Sequence, residues 1–128
     1  MRSYKPPSAS LPYTVIRDNT EGAAAFADIL DLLPRTPQRS APMLLLDVGA
    51  GRSDEARRFV ETQKPGWRVL VADPYNRPAA QNEAAQRAAE EAGGADVVTS
   101  MSVLNVIREP EARQEHIRTL RQALRPGG

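Results

Sequence analysis

The run Met43-Leu44-Leu45-Leu46-Asp47-Val48 is apolar at every position but one and is followed at once by Gly49-Ala50-Gly51. A strand with one face in water alternates apolar and polar residues, so a run without alternation needs cover on both faces, as at the centre of a parallel sheet. Glycines directly after such a strand allow a tight turn and let backbone amides approach a ligand at the start of the next helix. That helix follows. Ser53 can cap it, Asp54 and Glu55 lie in its first turn where the dipole favours negative charge, and Ala56, Phe59 and Val60 form its inner stripe.

The same alternation of strand and helix continues downstream. Residues 67–73 (Trp-Arg-Val-Leu-Val-Ala-Asp) read as a second strand. Pro78 opens a helix, rich in Ala and Glu, that runs to residue 92 with only small residues to bury. Residues 95–100 read as a third strand, 101–107 as a short helical or turn segment, and Glu109-Pro110 as the start of a helix whose apolar face is Ala112, Ile117, Leu120, Ala123 and Leu124. Pro126-Gly127-Gly128 ends it. Upstream, Pro6, Pro7 and Pro12 suit an extended arm, and Thr20 can cap a helix over 21–33 with Ala23, Phe26, Ala27, Leu30 and Leu33 on one face. The expected organisation is an arm and helix over 1–42 and an α/β domain over 43–128, its parallel sheet joined by right-handed crossovers.

Composition removes several function classes. With no cysteine among 128 residues, disulfides, thiolate zinc sites and a cysteine nucleophile are excluded, and no metal site is expected. A net charge of +1 with Arg interleaved among Asp and Glu gives no sign of a nucleic-acid partner. No apolar run reaches the length of a signal peptide or a membrane span, so a cytoplasmic protein is expected.

The chemistry-bearing residues gather at strand ends. Asp73 closes the second strand 22 residues beyond Gly51, close to the spacing at which a carboxylate grips a ribose diol. A plain strand-to-helix turn and a surface carboxylate are the alternatives for the glycines and for Asp73. A dinucleotide fingerprint would place a third glycine at position 54, where Asp54 stands and would repel a pyrophosphate. No Gly-Lys-Ser/Thr is present for a phosphate loop. Asn76, Arg77 and Asn105 are the polar residues expected near a substrate, with local turn or cap hydrogen bonds as the equal alternative. His116, beside the apolar face of the last helix, reads as an edge or packing residue.

In their order, Leu-Leu-Asp-Val-Gly-Ala-Gly, Val-Ala-Asp-Pro, Ala-Asp-Val-Val-Thr-Ser and Leu-Arg-Pro-Gly-Gly resemble the motifs of the class I, Rossmann-like methyltransferases that use S-adenosylmethionine. The resemblance covers residues 43–128. It implies that Gly49, Ala50 and Gly51 pass under the methionine part of the cofactor, that Asp47 reaches its ammonium through water and that Asp73 holds the ribose. It further implies that Pro74 and Tyr75 flank the adenine and that the strand end near Ser100 meets the ammonium. Asp73-Pro74-Tyr75-Asn76-Arg77 with Val103-Leu104-Asn105-Val106-Ile107 looks more narrowly like a subgroup met in phage, plasmid and DNA-modification settings. The Asp/Asn-Pro-Pro-Tyr/Phe sequence of amino-methylating DNA enzymes is replaced here by Ser100-Met101-Ser102-Val103, which disfavours that chemistry.

The chain also departs from the family pattern. A single helix fills the 22 residues between Asp73 and Asp96, where the family usually fits a helix, a strand and a further helix, and the last three strands are absent. The expectation is therefore a truncated sheet of about three strands in the order second, first, third. Its third strand would be an exposed edge open to homodimer formation. A non-catalytic S-adenosylmethionine-binding or assembly module is the competing functional class.

Overall fold

The computed structural model describes residues 2–4, 15–17, 30–34, 41–101 and 103–128. Most of the arm and helix expected over 1–33, including the Thr20 cap, lies outside the described residues. Within that region β1 (Arg2–Tyr4) and β2 (Val15–Arg17) pair antiparallel with Ser3 opposite Ile16. Of the expected helix, Leu30–Leu32 form a 3₁₀ turn, and residues 21–29 lie outside the described residues.

The rest is a Rossmann-like α/β sheet. Three parallel strands, β3 (Met43–Val48), β4 (Trp67–Ala72) and β5 (Val97–Thr99), lie in the order β4-β3-β5, the order expected from the sequence. β3 is central and buried at all six positions. Its side chains alternate between two cores. Met43 and Leu45 pack with Ala56, Val60, Trp67 and Val69 under α1 (Glu55–Gln63), while Leu44, Leu46 and Val48 face Ala72 together with Ala85 and Ala89 of α2 (Ala79–Glu91). Leu120 and Ala123 of α3 (Pro110–Ala123) join the second core. Covering both faces explains why the strand tolerates no alternation.

Two readings are corrected. The third strand is shorter than 95–100: Ala95 instead bridges Leu124, donating its N–H to Ala123 O and accepting from Arg125 N–H. Asp96 turns its carboxylate to Leu44 N–H and Arg125. Ile117 does not belong to the buried face of α3, being 51% exposed, and His116 is buried in its place. Among the described residues, no helix is long and apolar enough to cross a membrane.

Candidate functional site

The C-terminal ends of the three parallel strands carry the candidate residues. After β3 the chain turns through Gly49 (φ +107°) and Gly51 (φ +75°), conformations that suit glycine. The turn is tied to the end of β4, because Gly49 N–H and Ala50 N–H both donate to Ala72 O at 2.7 and 3.2 Å. A Cβ at Gly49 would overlap Val103 Cγ2, so glycine is also needed for the loop after β5 to lie against the turn.

Asp73 follows β4 and faces this turn. Its Oδ2 accepts Gly51 N–H at 2.8 Å and Asn76 Nδ2 at 2.8 Å, while its Oδ1 accepts Tyr75 N–H at 2.8 Å and Asn76 N–H at 3.1 Å. Four donors match the roughly four lone-pair positions of a carboxylate. The Asp-Pro-Tyr-Asn sequence produces part of this pattern locally, with Pro74 at the second position of a turn and Asp73 accepting from the amides two and three residues on. Asn82 of α2 holds the Asp73 backbone at both ends, accepting its N–H at 2.9 Å and donating to its carbonyl at 3.1 Å.

Arg77 clamps the glycine loop from below. Its Nε donates to Gly51 O at 2.7 Å, and its Nη2 donates to Ser53 O at 3.1 Å and to Asp54 Oδ1 at 3.0 Å. The Arg77 hydrogen bond, with Arg57 beside it, holds the Asp54 carboxyl below its ordinary range. Asn76 and Arg77, expected near a substrate, are thus buried and engaged in hydrogen bonds within the protein. Asn105 lies exposed on the 3₁₀ turn Leu104–Val106. Ser53 is not the cap of α1, whose N-cap is Asp54 with no side-chain cap bond, although Ser53 Oγ accepts Glu55 N–H at 3.1 Å.

Two further acidic and basic groups complete the edge. Asp47, 3% exposed, accepts from Thr99 Oγ1 at 3.0 Å. Burial pushes its carboxyl up to about 6, with the Asp73 charge adding to the effect and Thr99 and Arg77 opposing it. Ser100 Oγ lies 2.7 Å from His116 Nε2, and burial holds His116 below its ordinary value against the opposing Asp73 charge. Tyr75 packs with Val103, Val106 and Ile107 in a third apolar cluster.

The structure therefore brings Asp47, Gly49, Ala50, Gly51, Asp73, Pro74, Tyr75, Asn76 and Arg77 to one end of the sheet, with Ser100 at the end of β5. Sequence reasoning missed Asn82, which stands in no recognisable motif, and the role of Thr99, which lies inside Ala-Asp-Val-Val-Thr-Ser. His116 had a signal, since it lies four residues from both Ala112 and Leu120 on one helical stripe.

Among curated proteins and among solved structures, none matches the chain. A family model described as a methyltransferase domain matches residues 20–128. That match takes in the glycine turn and Asp73, and the chain belongs to the methyltransferase domain family.

Proposed function

We propose that the crevice at the C-terminal edge of the sheet binds S-adenosylmethionine and that the domain transfers its methyl group. The observation that carries this is the pair of buried carboxylates, Asp47 and Asp73, on either side of a glycine turn. Burial, with the Asp73 charge adding to it, makes the Asp47 carboxylate costly to ionise, and a cationic ligand relieves that cost, whereas an anionic pyrophosphate aggravates it. Asp54 contributes less to excluding a pyrophosphate than its position suggests, because Arg77 and Arg57 match its charge. The donor set thus fits a cationic nucleoside.

In this reading Gly49, Ala50 and Gly51 pass under the methionine part, Asp47 serves the ammonium through water, Asp73 receives the ribose diol, Pro74 and Tyr75 border the adenine, and the chain at Ser100 borders the ammonium. The bound cofactor supplies an electrophilic methyl on a good leaving group, so the protein's main task is to hold an acceptor at attack distance. For Asp73 to accept a ribose hydroxyl one position must be freed: among the described residues Asn76 Nδ2 is its one side-chain donor and the one able to swing aside without backbone movement. The motif pair that suggests the subgroup met in phage, plasmid and DNA-modification settings supports that assignment by packing together, Tyr75 against Val103, Val106 and Ile107.

Titration calorimetry with S-adenosylmethionine and S-adenosylhomocysteine tests the proposal. Both are expected to bind, and Asp73→Ala is expected to lose roughly 1.5–3 kcal/mol, at least tenfold in affinity, while remaining folded. Absence of binding, or unchanged affinity in folded Asp73→Ala, overturns it.

A further inference from the structure

One buried titratable side chain at the crevice has no part in holding the cofactor. His116 projects from the middle of α3, is 7% exposed, and its Nε2 meets Ser100 Oγ at 2.7 Å. Ser100 directly follows β5 and is only partly buried, whereas His116 is buried. The next residues, Met101 and Val103, abut Gly49, which fixes Ser100 beside the glycine turn. Asp73 is near enough to act on the imidazole's charge.

We propose that Ser100 and His116 form the proton-accepting site for the methyl acceptor, which makes that acceptor a protic O–H or N–H group; the proposal rests on the methyl-transfer reading of the crevice. Transfer to such a group forms a bond from its lone pair to the methyl carbon, leaves the carbon–sulfur electron pair on sulfur, and releases the X–H proton. That proton passes to Ser100 Oγ as the Ser100 hydroxyl proton passes to His116 Nε2. Serine ends neutral and imidazole ends as the cation, replacing the positive charge lost from sulfur. The relay requires a neutral ring protonated on Nδ1 so that Nε2 can accept. Burial favours the neutral ring, and Ser100 as donor selects the tautomer. Placed bases of this kind typically contribute about 10²- to 10⁴-fold to a rate.

Because the chain has a single histidine, ring ¹⁵N spectra of the intact protein report His116 without ambiguity. Its titration is to be followed with S-adenosylhomocysteine bound and with sinefungin bound, the latter carrying an amine where the methyl is transferred. Calorimetry on the same samples establishes occupancy. If Ser100 and His116 face the transfer position, the added cation lowers the His116 midpoint in the sinefungin complex relative to the other by about half a pH unit or more. The ring should also show the Nδ1–H tautomer, and Ser100→Ala, with occupancy by S-adenosylhomocysteine checked by calorimetry, should mix the tautomers. Equal midpoints with both ligands bound, or an unchanged tautomer in Ser100→Ala, overturn the proton-accepting role and leave the cofactor reading standing. Failure of both ligands to bind overturns the two together.

Discussion

Gly49 combines a φ of +107° with a Cα pressed against Val103, so Gly49→Ala incurs both backbone strain and overpacking. Strain in this region costs on the order of 1–3 kcal/mol and overpacking about as much again. The variant should melt well below the parent, and adding Val103→Ala should recover the packing part alone; full recovery, or none, would contradict the geometry. Asp47 carries a different burden. Since its carboxyl is lifted from 3.8 to about 6, the folded chain retains between about pH 4 and 6 a proton that the unfolded chain has released. Stability therefore falls as pH rises through that window and stays reduced above it, by about 3 kcal/mol for the full shift. Asp47→Asn should raise the melting temperature at pH 7.5 and flatten its slope between pH 4 and 6, while weakening S-adenosylmethionine binding. An unchanged slope would show that Asp47 is not the group responsible. His116 acts in the opposite direction: burial lowers its pKa, so its contribution is present above about 6.5 and is lost as pH falls below it.

The loop from Gly51 to Asp54 keeps its shape through a residue on another element. Arg77 bonds two of its carbonyls and one of its carboxylates, and only a planar guanidinium reaches all three. Arg77→Lys should therefore behave almost as a deletion, losing about 2–3 kcal/mol. Amide exchange at Arg52, Ser53 and Asp54 should rise more than at Val60 of α1; uniform acceleration would mean general unfolding rather than a freed loop. The sequence made some of this visible. The apolar run of β3 and its two glycines announce a buried parallel strand and its turn, and Asp-Pro-Tyr-Asn announces a tight turn, because both signals are local. The contact from Arg77 to Gly51 spans 26 residues and depends on β4 lying beside β3, which no local pattern encodes. Asn82 looks like any polar residue on an exposed helix until strand order brings the Asp73 backbone beside it. On α3 the apolar count favoured Ile117 over His116. The stripe of Ala112, Leu120 and Ala123 nonetheless passes through position 116, where Ser100 satisfies the ring.

Across the whole molecule the two ends of the sheet have separate work. The candidate site occupies the C-terminal ends, whereas the opposite end is closed by Asp96, whose Oδ2 accepts Leu44 N–H at 2.8 Å and whose Oδ1 accepts Arg125 Nη1 at 3.0 Å. One carboxylate thereby joins the start of the central strand, the start of β5 and the chain leaving α3. Gly94 lets these meet, since a Cβ there would run into the Arg125 backbone. Asp96 is largely buried and Arg125 only partly so, hence the bond to the Leu44 amide matters more than the ion pair, which solvent screens. Asp96→Ala leaves that amide without its acceptor and should cost about 2–3 kcal/mol, or roughly 10 °C in melting temperature for a chain of this size. Arg125→Ala, which keeps the Leu44 bond, should cost under about 1 kcal/mol. Neither variant touches the glycine turn, so measured well below its melting point each should bind S-adenosylmethionine as the parent does. A Kd raised tenfold in folded Asp96→Ala would instead show that the clamp sets the register of β3 against β4, on which the distance from Gly51 to Asp73 depends.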